Sequence, residues 1–460
     1  MTIVQLTPGT GGMYCGNCFR DNALVAELRR LGHEAWMVPL YLPLTLDEPD
    51  QSAGTPIFLG GINVYLEQKF PWFGAAPRWL RSWLSSPGLL AKAAGYAAKT
   101  RAEEVGALLL SMLHGEAGSQ AREIDDLVAW LTARVRPEVV CLSNALLVGL
   151  AQPLRRQLGA RLVCFLQGED IFLDSLAAPY RDPAWQLLQQ KARDVDLFIA
   201  PNRYFAGVMT DRLRLRPGTV RVIPEGIALA GYRTTPGQQA QDGGCGEDWT
   251  AFEEIRSASS ALSNHESRCP AWRSTTVGYL ARLCPEKGLH VLIEAFIELH
   301  RRGRVPAVRL KVGGGCGPSE VPYVKALESQ LAHQGLAESV SFHPNLSREQ
   351  KIAFLQSLDL FSVPATQPEA SGMYLVEALA AGVPVVQPRF ASFPEFVETT
   401  GGGVLYDPER RHGLVDALEQ LLLDPARRRE LSATGQRAVH EQFNAPRMAR
   451  EVAAAMACLS

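Results

Sequence analysis

Four charged side chains in the second half of the chain, two carboxylates and two cations, lie in two short stretches where a polar ligand could be received. Glu369 and Glu377 stand with seven residues between them around "PEASGMYLVEALAAGVPVV" (368–386). An ionised carboxylate is a pure acceptor and suits vicinal hydroxyls, which donate two hydrogen bonds to one group. Between them a helix is predicted to start near Ser371–Gly372, with Gly382 at its carboxyl end and Pro384 beyond. The amides of Gly372, Met373, Tyr374 and Leu375 then point out of the helix start, where anions and acceptors are attracted. Arg282 and Lys287, in "GYLARLCPEKGLHVLIEAF" (278–296), follow a strand and lead into the next helix. They are cations where a diphosphate would sit, Arg as a planar fork and Lys as a point charge. Taken singly, each of these residues also reads as an ordinary solvated charge, since most charged side chains are on surfaces.

The first half offers "TGGMYCGNCFRDN" (10–22), which carries two readings. Cys15 and Cys18 form a C-x-x-C pair, a pattern of metal and redox sites. Gly11 and Gly12 lie between an apolar strand and a helical pattern, where a bare backbone approaches a phosphate closely. The other seven cysteines supply no second close pair, and a tetrahedral zinc site wants four ligands. The glycine reading is therefore the stronger one.

These residues need a scaffold, and the apolar pattern supplies it. Short runs at 3–7, 34–40, 138–142, 161–166, 196–201 and 220–224 alternate with helical segments. The same alternation restarts at 275–281 and continues at 307–315, 339–343, 358–364, 383–388 and 402–407. Strands of this kind separated by helices make β-α-β units and parallel sheets. The expected fold is α/β, with two doubly wound Rossmann-like domains whose strand ends face a shared cleft. The expected divisions are 1–231, a flexible linker or insertion at 232–274 rich in Gly, Ser, Gln and Asp, and 275–443. The final segment, with Asn444 as N-cap and Pro446 in its first turn, predicts a helix over 444–459 with no strand after it.

Composition bounds the rest. At 460 residues, 47% hydrophobic and 20% charged, the chain has ordinary globular composition with room for two cores. A net charge of −2 argues against a nucleic-acid binder that neutralises phosphates. No basic leader and no membrane-length apolar run is visible, and nine irregularly spaced cysteines suit reduced thiols, so a cytoplasmic enzyme is expected. The tryptophan-rich stretch 70–90, with Arg78 and Arg81, reads either as a peripheral membrane or lipid-acceptor patch or as a helical subdomain with an aromatic core. "DVD" at 194–196 lacks the further ligands a metal site needs.

Together "VIPEGI" (222–227), "VGYLARLCPEKGLHVLIEAF" and "FSVPATQPEASGMYLVEALAAGVPVV" resemble the retaining glycosyltransferases of family 4, glycogen- and starch-synthase-like enzymes of the GT-B fold. The resemblance is strong in the second half and weaker in the first. It implies that Glu377 binds the ribose hydroxyls of a nucleotide-sugar and that Glu369, with the amides around Ser371, Gly372 and Met373, holds the donor sugar. Arg282 and Lys287 would hold the diphosphate, aided by the loop of Gly11 and Gly12, without a metal or other cofactor. It also implies a C-terminal helix that crosses back to the first domain. A hexosyl group would pass from a UDP-, GDP- or ADP-linked donor to a glycan, small-molecule or lipid-linked acceptor, by front-face displacement. One departure stands out: where relatives commonly place a His facing the donor sugar, this chain has Gln167, in "QGEDIF". An epimerase of the same fold and a non-catalytic nucleotide-sugar-binding protein are the alternatives. An NAD oxidoreductase fails on its fingerprint, since the first loop reads G-x-G-G-x-x-x-G.

Overall fold

The computed structural model describes residues 1–9, 16–59, 102–232 and 275–459. Gly11, Gly12, Cys15, the stretch 70–90 and residues 233–274 lie outside the described residues.

Among the described residues all twelve expected strands are present, in two six-stranded parallel sheets. The first contains β1 (Thr2–Thr7), β2 (Glu34–Pro39), β3 (Val139–Leu142), β4 (Arg161–Phe165), β5 (Leu197–Ala200) and β6 (Val220–Val222), in the order β2-β1-β3-β4-β5-β6. The second contains β7 (Thr276–Leu280), β8 (Arg309–Gly314), β9 (Val340–Pro344), β10 (Leu360–Phe361), β11 (Val385–Pro388) and β12 (Gly403–Tyr406), in the order β12-β11-β10-β7-β8-β9. Helices cover both faces, so the central strands are buried throughout: every residue of β3, β5 and β7 is buried. That double burial is why they read as unbroken apolar runs.

The strand order places the chemistry. Each sheet reverses direction of winding at one point, between β1 and β3 in the first and between β7 and β10 in the second. Loops leaving adjacent strands diverge there and open a crevice at their carboxyl ends. Arg282 and Lys287 follow β7, whereas Glu369 and Ser371 follow β10. The charged residues singled out by spacing thus flank the second sheet's switch point.

Two strands of chain connect the domains side by side. Ile227 donates to Phe443 O at 2.9 Å and Ala445 donates back to Ile227 O at 3.0 Å. A Cβ on Gly226 would lie 2.2 Å from Asn444 O, so only glycine allows this approach. Ile227 and Tyr232 already pack into the second domain's core. After the crossing, Asn444 caps the helix Ala445–Ala457 by accepting from Arg447 N at 2.8 Å, as expected for this residue. Met448, Val452 and Met456 of that helix are buried against Leu24, Val25 and Leu28 of the helix Gly16–Arg30. Each such side chain contributes about 1.5–3 kcal/mol of burial, which fixes the C-terminal helix to the first domain.

Candidate active site

The loop after β7 turns through a single 3-10 turn, Pro285–Lys287, before the helix Leu289–Arg302. Gly288 makes the join with φ +73°, and a Cβ there would lie 1.8 Å from Pro364 O. The backbone of the β7 loop is thereby pressed against the loop leaving β10. We expect Gly288→Ala to cost at least ~1–3 kcal/mol through positive-φ strain and this clash, read as a lower melting temperature.

That approach brings Lys287 to Glu369. The Lys287 ammonium contacts both carboxylate oxygens, at 2.7 and 2.5 Å, and Tyr374 donates its hydroxyl to Glu369 Oε2 at 2.7 Å. Burial and the adjacent Glu369 charge push the Tyr374 hydroxyl well above its ordinary pKa, so it stays a donor. Arg282 is exposed, bonds through Nε to Cys284 Sγ at 3.3 Å and has no carboxylate within ion-pair distance among the described residues. Its guanidinium faces solvent with donors to spare.

The helix Met373–Ala380 begins at Gly372, whose φ of +66° turns the chain sharply into it. Leu375 N already donates to Gly372 O at 2.8 Å. The amides of Gly372, Met373 and Tyr374 have no acceptor among the described residues, a set of donors at the positive end of the helix dipole. Further along, Glu377 pairs with Lys351 at 2.6 Å, and Lys351 also holds Asp47 of the first domain at 2.8 Å. Beside it Arg348 binds Glu48 at 2.9 Å and the carbonyls of Ala228 and Ala230.

The first domain meets this loop directly. Gly16 faces Met373, whose sulfur would lie 3.9 Å from an added Cβ, and Gly168 sits against Ala370. Asn202 donates from its side chain to Ala370 O. Glu395 reaches the other way and accepts from Arg203 N and Tyr204 N, at 2.9 and 3.0 Å. Gln167 follows β4 and donates its side-chain amide to Glu225. Glu225 is buried, faces Ser371 across the cleft and lies 3.7 Å from Arg20, itself buried.

Arg282, Lys287, Glu369, Ser371, Gly372 and Met373 therefore gather on one side of the cleft, with Gln167 facing them and Glu377 one turn further on, in an ion-pair network that reaches Asp47 of the first domain through Lys351. Gly11 and Gly12 lie outside the described residues, as does Cys15, while Cys18 is buried at the start of the first helix. Among the described residues no group of three His, Cys, Asp or Glu is placed to hold a metal ion. Asp196 instead accepts from Leu162 N and pairs with Arg155 and Arg161. No helix among the described residues is long and apolar enough to cross a membrane. Sequence reasoning missed Tyr374, Lys351, Arg20 and the role of Glu225. Glu225 was within reach, since it is the charged residue of "VIPEGI".

Two Rossmann-like domains with parallel sheets facing a cleft, joined by a paired crossover and a returning C-terminal helix, define the GT-B fold. The chain is homologous to glycosyltransferases of that fold: residues 22–230 match the family model described as Glycosyltransferase Family 4, and residues 271–438 match Glycosyl transferases group 1. A GDP-mannose-dependent alpha-(1-6)-phosphatidylinositol monomannoside mannosyltransferase of Mycolicibacterium smegmatis is 33% identical over 162 residues, 34% of this chain and 41% of that protein. A D-inositol 3-phosphate glycosyltransferase of Salinispora arenicola is 28% identical over 251 residues, 54% of this chain and 52% of that one. The chain thus spans about half the length, or less, of these curated relatives. Among solved structures, sucrose-phosphate synthase of Thermosynechococcus elongatus superposes with a TM-score of 0.68 at 17% identity, covering 99% of this chain and 98% of that one. Anabaena HepE in complex with UDP and glucose gives 0.64 at 18% identity, with both chains fully covered.

Proposed function

We propose that this protein is a retaining, family 4-type glycosyltransferase that moves a hexosyl group from a nucleotide-sugar to a glycan, small-molecule or lipid-linked acceptor. One observation carries the reading. The Lys287–Glu369 pair and the open amides of Gly372–Tyr374 sit together at the β7/β10 switch point, facing a polar wall of the first domain. Glu369 would exchange Lys287 for hydroxyls of the donor sugar, and Lys287 with Arg282 would take the diphosphate. Glu377 would exchange Lys351 for the ribose hydroxyls. In a front-face displacement the departing diphosphate accepts the acceptor's proton, so the protein's task is to stabilise charge on the leaving group. Two cations and three backbone donors can do this without a metal.

The test is a panel of GDP-, UDP- and ADP-sugars, with GDP-mannose first because the mycobacterial relative is GDP-mannose-dependent. Binding, slow donor hydrolysis and the anomeric configuration of the product are scored, with and without EDTA. Turnover with retained configuration that EDTA leaves unchanged is the expected result. Binding without turnover, indifferent to Lys287→Ala, would return the protein to the non-catalytic class. Recovery of an isomerised nucleotide-sugar would identify an epimerase.

A further inference from the structure

Behind the first-domain wall of the cleft lies a charged cluster that the chemistry above does not use. Arg20 is 2% exposed and Asp21 is inaccessible, although both occupy the second turn of a helix in the protein interior. Arg20 binds Asp21 Oδ1 through Nε at 2.8 Å and through Nη2 at 2.6 Å, and it donates to Ser143 O at 2.9 Å. Its guanidinium also lies over the Phe165 ring, 4.0 Å from the centroid. Asp21 is completed by the Thr7 hydroxyl at 2.8 Å. With five donors in a rigid fork, Arg20 has one edge left, and that edge faces Glu225 Oε1 at 3.7 Å. Arg20 is thus fixed from four directions, and Glu225 is the group it presents to the cleft.

We infer, resting on the transferase reading above, that Glu225 is a positioning residue that makes Gln167 a fixed hydrogen-bond acceptor for a hydroxyl of the donor sugar. A carboxylate only accepts, so its partner has to be the –NH2 of Gln167 and not the carbonyl. The Gln167 backbone is held as well, because its N–H donates to Glu169 Oε2 at 2.8 Å. The carboxamide oxygen is left over, with no donor among the described residues, on a half-buried side chain. Gly168, the next residue, packs on Ala370, and Glu225 itself faces Ser371, so this oxygen belongs to the wall opposite Glu369. One cation, Arg20, serves both Asp21 and Glu225, and Glu169 adds a further carboxylate beside Gln167, so carboxylates outnumber cations at that wall among the described residues. An acceptor backed by an anion takes a hydroxyl and repels a carboxylate. The selected donor class is a neutral hexosyl nucleotide, against its uronyl counterpart.

The experiment compares wild type, Glu225→Gln and Gln167→Ala on the best nucleotide-sugar, its monodeoxy analogues, its uronyl analogue and the nucleoside diphosphate alone. In wild type one deoxy analogue and the uronyl donor should each lose about tenfold or more in kcat/KM, as when a buried polar group is left unpaired. Gln167→Ala should abolish the deoxy discrimination. Glu225→Gln lets the carboxamide of Gln167 turn over, so discrimination should shrink to about threefold or less while the uronyl donor gains relative to the hexosyl one. Affinity for the nucleoside diphosphate should stay within about twofold in both variants, because the wall does not touch it. Undiminished deoxy discrimination in Glu225→Gln, or equal losses for every donor together with the nucleoside diphosphate, would overturn the positioning role. If Glu225→Gln does not fold, Gln167→Ala and Gln167→Glu decide: unchanged discrimination in both overturns it. A wild type that neither binds nor turns over any nucleotide-sugar fails the transferase reading itself, whereas normal turnover with unchanged selectivity in the variants fails only this one.

Discussion

Lys287→Ala should lower kcat by about 10²–10³-fold, with a much smaller change in the Kd of the nucleotide product. A preorganised donor aimed at developing charge is worth ~3–4 kcal/mol in the transition state. Lys287 is the cation best placed to act so, since Gly288 clamps its backbone against Pro364 and its side chain is 26% exposed, partly out of water's screening. Some loss of stability will accompany the change, because among the described residues Glu369 keeps only the Tyr374 hydroxyl at 2.7 Å. A half-buried carboxylate stripped of its cation costs about 1–3 kcal/mol, so melting temperature and circular dichroism have to be measured beside kcat. Lys287→Arg should recover activity only in part, because a planar fork does not replace a point charge at the same atom. Combining Lys287→Ala with Glu369→Ala should cost clearly less than the sum of the two, as expected for residues in contact. A kcat within threefold of wild type for Lys287→Ala would remove Lys287 from the chemistry and leave Arg282 and the amides to carry it.

The sheets were legible in the sequence because parallel strands are buried on both faces, and "EVVCL" or "DLFIAP" leaves few other readings. Even so, "LDLFSVP" yields only a two-residue strand, Leu360–Phe361, before the chain leaves the ladder toward Glu369. The second-domain part of the candidate site was legible for a different reason. Arg282, Lys287, Glu369 and Glu377 lie in two compact stretches, each bound to a strand-loop-helix unit whose geometry is local. The first-domain wall was not, because its meaning is in long-range pairs. Glu225 becomes informative only when Arg20 is seen behind it, and Lys351 only when Asp47 arrives from the other domain. One local signal existed: "FRDN" puts three consecutive polar residues into the buried part of a helix, where burial without partners is costly. Tyr374 had none, since an aromatic in an apolar helix reads as packing until its hydroxyl is seen on Glu369.

Lys351→Met should separate stability from nucleotide binding, moving them in opposite directions. Lys351 holds Asp47 at 2.8 Å and Glu377 at 2.6 Å, with its side chain 14% exposed. Removing it leaves two neighbouring carboxylates without a cation, and breaking a largely buried pair this way costs about 3–5 kcal/mol. Asp47 belongs to the first domain, so part of that loss is in domain docking, with Arg348 and Glu48 left to hold the contact at 2.9 Å. The pH dependence fixes the sign. Burial works against the Lys351 charge, but Glu377 and Asp47 outweigh it and raise its pKa above the ordinary lysine value. The folded value exceeds the unfolded ~10.4, so this stabilisation is fully present below about pH 10 and fades as pH rises through the folded value. In Lys351→Met the carboxylates of Asp47 and Glu377 are left facing the same space without the ammonium that joined them, and this source of pH dependence is gone. Binding should go the other way. Glu377 no longer has to release an ammonium before it accepts ribose hydroxyls, so a nucleoside diphosphate should bind several-fold tighter, on the order of 1 kcal/mol. Glu377→Gln, by contrast, should weaken it. Urea titrations at pH 8 beside calorimetric binding give both quantities. A Lys351→Met variant that loses affinity as Glu377→Gln does would mean that Lys351 grips the nucleotide itself, and that Glu377 serves the fold.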